Sequence, residues 1–146
     1  MDDKFMLAAL AQSRKALPEC LPNPPVGCVI IHSGKIIAAG YTHSPGKHHA
    51  EADALTYIQG QDLHCLQMYV TLEPYSFQGR TPSCALALAK DPRIQEIYVS
   101  IVDPDSRNNG KGLDILKKAG KTVHVGLCAD EVNAFLQQYI SLTDNC

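Results

Sequence analysis

VGCVIIHSGKIIAAGYTHSPGKHHAEADALTYI, residues 26–58, holds three successive pieces of structure. Two apolar runs, Val26 to His32 and Lys35 to Tyr41, flank Ser33-Gly34. Runs of this kind joined by two turn residues form a β-hairpin. A polar loop with Gly46 follows, and Thr42 to His49 carries three of the chain's six histidines. From His49 the apolar spacing becomes helical, which predicts a helix to about Ile58, closed near Gly60.

Working outward, Asp2 or Asp3 can cap a first helix whose apolar face is Phe5, Met6, Ala9, Leu10 and Leu17. Pro18, Pro22, Pro24 and Pro25 end it and hold the chain extended. Beyond residue 58 the pattern predicts strands at Met68–Leu72, Ile94–Ile101 and Lys121–Gly126. Between and after them it predicts helices from about Thr81-Pro82, at Leu113–Ala119 and at Asp130–Ile140, with SLTDNC as a tail. The order α-β-β-α-β-α-β-α-β-α gives an α/β fold. Its sheet is expected to be mostly parallel, covered on both faces, with the first pair antiparallel. With no linker or internal repeat, the 146 residues are expected to form one domain, 1–146.

Composition narrows the function. Net charge is −2 and pI about 6.3, without the basic stripe of a nucleic-acid binder, so a small-molecule substrate is favoured. No apolar run reaches the roughly 18 residues that cross a bilayer, and the N-terminus is not that of a signal peptide, so a cytoplasmic location is expected. The six cysteines form no C-x-x-C pair and read as buried hydrophobes or free thiols rather than a disulfide framework.

Two stretches carry chemistry, His49-Ala50-Glu51 and TLEPYSFQGRTPSC, Thr71 to Cys84. A zinc deaminase needs an imidazole and thiolates to hold the ion and a glutamate, not a ligand, to move protons. His49 and Cys84 suit the first task and Glu51 the second. Each alone is more often a cap or core residue; together, each after a strand and at the start of a helix, they point to a site at strand ends. The partial positive charge of a helix start is expected to help keep the Cys84 thiolate ionised.

The words NPPVGCVI (23–30), HAEADAL (49–55), YVTLEP (69–74), GRTPSC (79–84), DP (103–104) and GKG (110–112) cover nearly the whole chain in order. By them the sequence resembles the deaminase half of the bifunctional riboflavin-biosynthesis deaminase/reductase, in the cytidine-deaminase-like superfamily. The resemblance implies a three-layer α/β/α fold with a five-stranded mixed sheet. It also implies hydrolytic removal of an exocyclic amine from a diaminopyrimidinone carrying a ribosylamino 5′-phosphate. His49 and Cys84 fall on zinc-ligand positions, Glu51 on the proton shuttle and Asn23 on a base-contacting position. Thr42, where a histidine is expected, and the adjacent His43 fall on the substrate side. Arg80, with Lys47 and Lys111, could meet a phosphate. The resemblance further implies self-association, as a dimer, and the reductase domain that usually follows is not expected here.

The chain departs from that pattern in the pocket. Tyr75 stands where the family has its first cysteine ligand and Phe77 where it has a histidine. A third donor to zinc could come from Tyr75 as phenolate, from His43 or His48, or from a second water; otherwise the metal is absent and the ring fills its place. Three readings follow: a zinc deaminase of a pyrimidine or related amino-heterocycle, a catalytically degenerate binding or scaffold protein on the same fold, and metal-free chemistry with Glu51 as base.

Overall fold

The structure, a computed structural model, describes residues 2–76 and 83–144, with side chains to residue 140. Helix α1 (Asp3–Arg14) starts at Asp2, whose carboxylate accepts from the Lys4 amide at 3.2 Å. The hairpin is β1 (Gly27–His32) and β2 (Lys35–Tyr41), followed by α2 (Ala50–Thr56), β3 (Leu66–Leu72), α3 (Cys84–Lys90), β4 (Ile94–Ile101), α4 (Lys111–Lys118), β5 (Thr122–Val125) and α5 (Ala129–Asp144).

The five strands form one sheet in the order β2-β1-β3-β4-β5. β1 is antiparallel to both β2 and β3, whereas β3, β4 and β5 are parallel. The sheet is therefore evenly mixed rather than mostly parallel. The reason lies in α2, which carries the chain from edge strand β2 over β1 before β3 begins. β3 thus runs parallel to β2 and against the strand between them. The tail also differs from expectation, since α5 continues to Asp144 through four residues of SLTDNC.

Alternation along the strands divides the core. Val29, Ile31, Tyr69 and Tyr98 pack with Phe5, Met6 and Ala9 of α1. Cys28, Ile30, Met68, Val70, Ile97 and Val99 face the other way, with Ala50, Ala54, Leu88, Leu113 and Leu116 of α2, α3 and α4. Period-two side chains buried on both faces are what a sheet covered by helices on two sides requires. On the α1 side the rings of Tyr69, Tyr98 and His124 stack across three strands, at 4.4 and 4.5 Å between centroids. Glu96 accepts from Gln67 and the Tyr98 hydroxyl there and lies 3.2 Å from His124 Nε2.

Cys20, Cys28 and Cys84 are buried, and Cys65, immediately before β3, is exposed; all are free thiols. Among the described residues, no helix is long and apolar enough to cross a membrane.

Candidate functional site

The carboxyl ends of β2 and β3 frame a cavity, as expected for a site in an open α/β sheet. Asn23, Pro24 and Val26 line it from the segment entering β1, and Thr42 from the end of β2. His49 and Glu51 contribute from the start of α2, and Leu72, Glu73 and Tyr75 from the end of β3. α2 reaches this position because β2 has glycine at 40: a Cβ there would lie 2.5 Å from Ala50 O and from Ala54 N. Asp53 of α2 fixes the approach by accepting from the Tyr41 amide at 3.0 Å.

His49 is the N-cap of α2, but its side chain does not cap the helix. Its Nδ1 lies 3.6 Å from Cys84 Sγ, at the first residue of α3. The Ser83 hydroxyl caps α3, accepting from the Leu86 amide at 3.2 Å. The Tyr75 ring stands edge-on to the His49 imidazole, centroids 5.0 Å apart and planes at 70°. The sequence-predicted residues 49, 51, 75 and 84, from segments up to 35 positions apart, thus meet around one point.

The electrostatics follow from burial. Glu51 is 4% exposed, and desolvation pushes its carboxyl up to about 7 despite a bond from its own amide. Burial lowers the His49 pKa, favouring the neutral imidazole that binds metals. The Cys84 thiol is pushed well up, first by burial and then by the Glu51 charge. Without an ion, burial therefore favours the neutral thiol at the start of α3. The Tyr75 phenol is pushed up to about 12, by burial first and then by the charges of Asp103 and Asp105.

The donor set can be tested against zinc. Two ligands at about 2.3 Å (S) and 2.0–2.1 Å (N) from one tetrahedral ion lie about 3.5 Å apart, and the His49–Cys84 separation of 3.6 Å meets that requirement. The same spacing suits a thiol donating to Nδ1 when no ion is bound. Among the described residues, no three histidine, cysteine, aspartate or glutamate side chains cluster as a metal site. Neither His43 nor His48 forms such a group with His49 and Cys84. Residues 77–82, outside the described set, contain none of these four residue types. The Tyr75 ring touches His49, and the charges that act most on its phenol are those of Asp103, Asp105 and Arg107.

Other expected residues have different surroundings. Thr42 lines the cavity, but its hydroxyl accepts from the Val26 amide at 3.1 Å and so closes the main chain. His43 is not among the lining residues: its ring stacks on Tyr41 at 4.9 Å and its Nε2 lies 3.1 Å from Asp53 Oδ2. Arg80 and Phe77 lie outside the described residues. Lys47 and His48 line a second hollow of about 300 Å³ on the Cys84 side, which also touches His49 and Glu51. The first cavity has a volume of about 30 Å³, space for a water or two.

Two residues of the site were not singled out from sequence. Glu73, 2% exposed, accepts from the amides of Asp103 (3.1 Å), Gly110 (2.9 Å) and Leu113 (3.1 Å). Asn108, fully buried, donates to Pro74 O at 3.2 Å and accepts from the Ser76 amide at 3.1 Å. The available signal was a charged residue directly after a buried strand, as Glu73 follows β3. Gly112 completes the clamp, since a Cβ there would lie 2.0 Å from Pro74 O.

Comparison with known proteins agrees with this geometry. Residues 1–101 match the family described as the cytidine and deoxycytidylate deaminase zinc-binding region. The riboflavin biosynthesis protein RibD of Aquifex aeolicus is 36% identical over 141 residues, covering 97% of this chain and 39% of that protein. The diaminohydroxyphosphoribosylamino-pyrimidine deaminase of Buchnera aphidicola is 36% identical over 132 residues, covering 90% of this chain and 88% of that protein. The structure of Acinetobacter baumannii RibD superposes with a TM-score of 0.88 at 37% identity, over 95% of this chain and 38% of that one. The chain thus spans about two fifths of the RibD proteins it matches and nearly all of the Buchnera deaminase. It belongs to the cytidine and deoxycytidylate deaminase family, in the branch of the riboflavin-biosynthesis deaminases.

Proposed function

We propose that the chain is a hydrolytic deaminase that removes the exocyclic amine of a small pyrimidine, of the diaminohydroxyphosphoribosylaminopyrimidine type. One observation carries this reading: the Glu51 carboxyl, buried and shifted to about 7, stands in the same cavity wall as the His49–Cys84 pair. A carboxyl near neutrality can take a proton and give it back at working pH. His49 and Cys84 would hold zinc, which when bound supplies the acidity that ionises a water near neutral pH. Glu51 takes the proton of the attacking water and passes it to the departing amine. Asn23 faces the heterocycle from the opposite wall, with Thr42 lining the cavity beside it. The enzyme acts as a cytoplasmic homodimer.

The test is ammonia release from the diaminopyrimidinone ribosylamino 5′-phosphate by the zinc-supplied full chain. Turnover is expected, and Glu51→Gln should lower it by about 10²–10⁴-fold; no release from the unmodified chain refutes the reading. A second reading, a pocket that binds its ligand without hydrolysis, is favoured by Tyr75, an aromatic ring held protonated beside His49. Ligand binding without ammonia release would select it.

A further inference from the structure

Resting on the deaminase reading for the class of ligand alone, we infer that Tyr75 is a specificity-determining residue: its ring takes up room that the heterocycle needs and turns aside to admit it. The first cavity, about 30 Å³, holds a water or two. A pyrimidine with its exocyclic groups is several times larger than that. Part of the wall must therefore give way before a ligand reaches Glu51.

Most of the wall is fixed. Pro24, Val26, Thr42, Glu51, Leu72 and Glu73 are buried. The Thr42 hydroxyl and the Val26 amide are bonded to each other, and Glu73 accepts from three amides. Three described lining residues are half-buried, Asn23, His49 and Tyr75. Asn23 sits in a turn closed by its own amide on Cys20 O at 2.9 Å, and His49 meets Cys84 Sγ at 3.6 Å. Tyr75 has the largest side chain of the three. Its main chain is pinned: the carbonyl accepts from the Ala85 amide at 2.9 Å and the Ser83 hydroxyl at 2.8 Å. Asn108 holds the peptides on either side, through Pro74 O and the Ser76 amide. What remains to the ring is rotation about its side-chain bonds. Burial apart, the charges that act most on its phenol are those of Asp103, Asp105 and Arg107, in the loop after β4. Arg107 is exposed, so the ring has a polar rim to turn towards. The cost of turning grows with how far the ligand pushes, so a pyrimidine with a bulky arm is penalised more than a bare one. Discrimination by packing alone reaches about 10–200-fold.

The test is isothermal titration of the full chain with a chelator present, which reads binding without turnover. The probes are cytosine and the diaminopyrimidinone ribosylamino 5′-phosphate. Tyr75→Ala, with an unchanged far-ultraviolet circular dichroism spectrum, should raise the affinity for the larger probe relative to cytosine by at least about 10-fold. Tyr75→Leu, which serves if the alanine variant does not fold, should move the ratio in the same direction. Tyr75→Phe should keep the original ratio, because the obstacle is the ring and not its hydroxyl. Binding of the larger probe by the alanine or leucine variant and not by the unmodified chain also supports the inference. It is overturned by a ratio that is unchanged or lowered in the smaller variants, by a phenylalanine variant that behaves like them, or by binding of neither probe to any of these chains. A raised ratio with no ammonia release from the zinc-supplied chain removes the deaminase reading and leaves this inference standing. Ammonia release with an unchanged ratio does the reverse.

Discussion

Replacing Glu51 by glutamine should stabilise the metal-free protein, by an amount that grows with pH. The side chain is 4% exposed, and its carboxyl is shifted from 4.5 to about 7 in the folded state. Between those values the folded chain holds a proton that the unfolded chain has released. Unfolding stability therefore falls as pH rises through this window. The favourable term is fully present below about 4.5 and gone above about 7. The difference between those two values corresponds to about 3 kcal/mol. Glutamine has nearly the same shape and does not titrate. The two proteins should therefore match near pH 4 and diverge until the variant leads by about 3 kcal/mol at pH 8. For a chain of this length that is roughly 6–12 °C in Tm. Urea unfolding of both proteins with a chelator, at half-unit steps from pH 4 to 8, measures the difference directly. A difference that stays flat across the range would mean that Glu51 is not desolvated, and the account of the cavity would fail with it.

Further predictions concern the frame. Gly112→Ala puts a methyl 2.0 Å from Pro74 O and should cost about 1–3 kcal/mol, read as a lower urea midpoint at unchanged m-value. Asp91 accepts from Arg93 at 2.9 and 2.7 Å, and that bond first of all holds its pKa below the usual 3.8. Its stabilisation is present above the unfolded pKa and is lost as pH falls through the lowered folded value. Arg93→Ala should therefore flatten the acid limb of the stability curve below pH 4, as followed by circular dichroism.

Much of this architecture can be read from local pattern, and the rest depends on distant contacts. The hairpin is legible because Ser33-Gly34 interrupts two β-rich runs. β4 is legible because the apolar run Ile94 to Ile101 lies between two turn-forming pairs, Asp91-Pro92 and Asp103-Pro104. Strand direction is less legible, because nothing local to β3 records that α2 passes over β1. His49, Glu51 and Cys84 stand out because imidazole, carboxyl and thiol are the groups metal chemistry uses. Glu73 and Asn108 do not, since their partners lie 30 to 40 and 32 to 34 positions away, and only the folded chain shows that they share one clamp. Asp53 hides for a similar reason: it looks like a solvated helix residue until the Tyr41 amide and His43 are seen beside it.

The exposed thiol of Cys65 offers a practical handle. It sits just before β3, while the cavity lies beyond Leu72 at the other end of that strand. Seven residues of extended chain put roughly 20 Å between them. A maleimide dye attached at Cys65 would therefore report tumbling and self-association by fluorescence anisotropy while leaving the reaction chamber untouched.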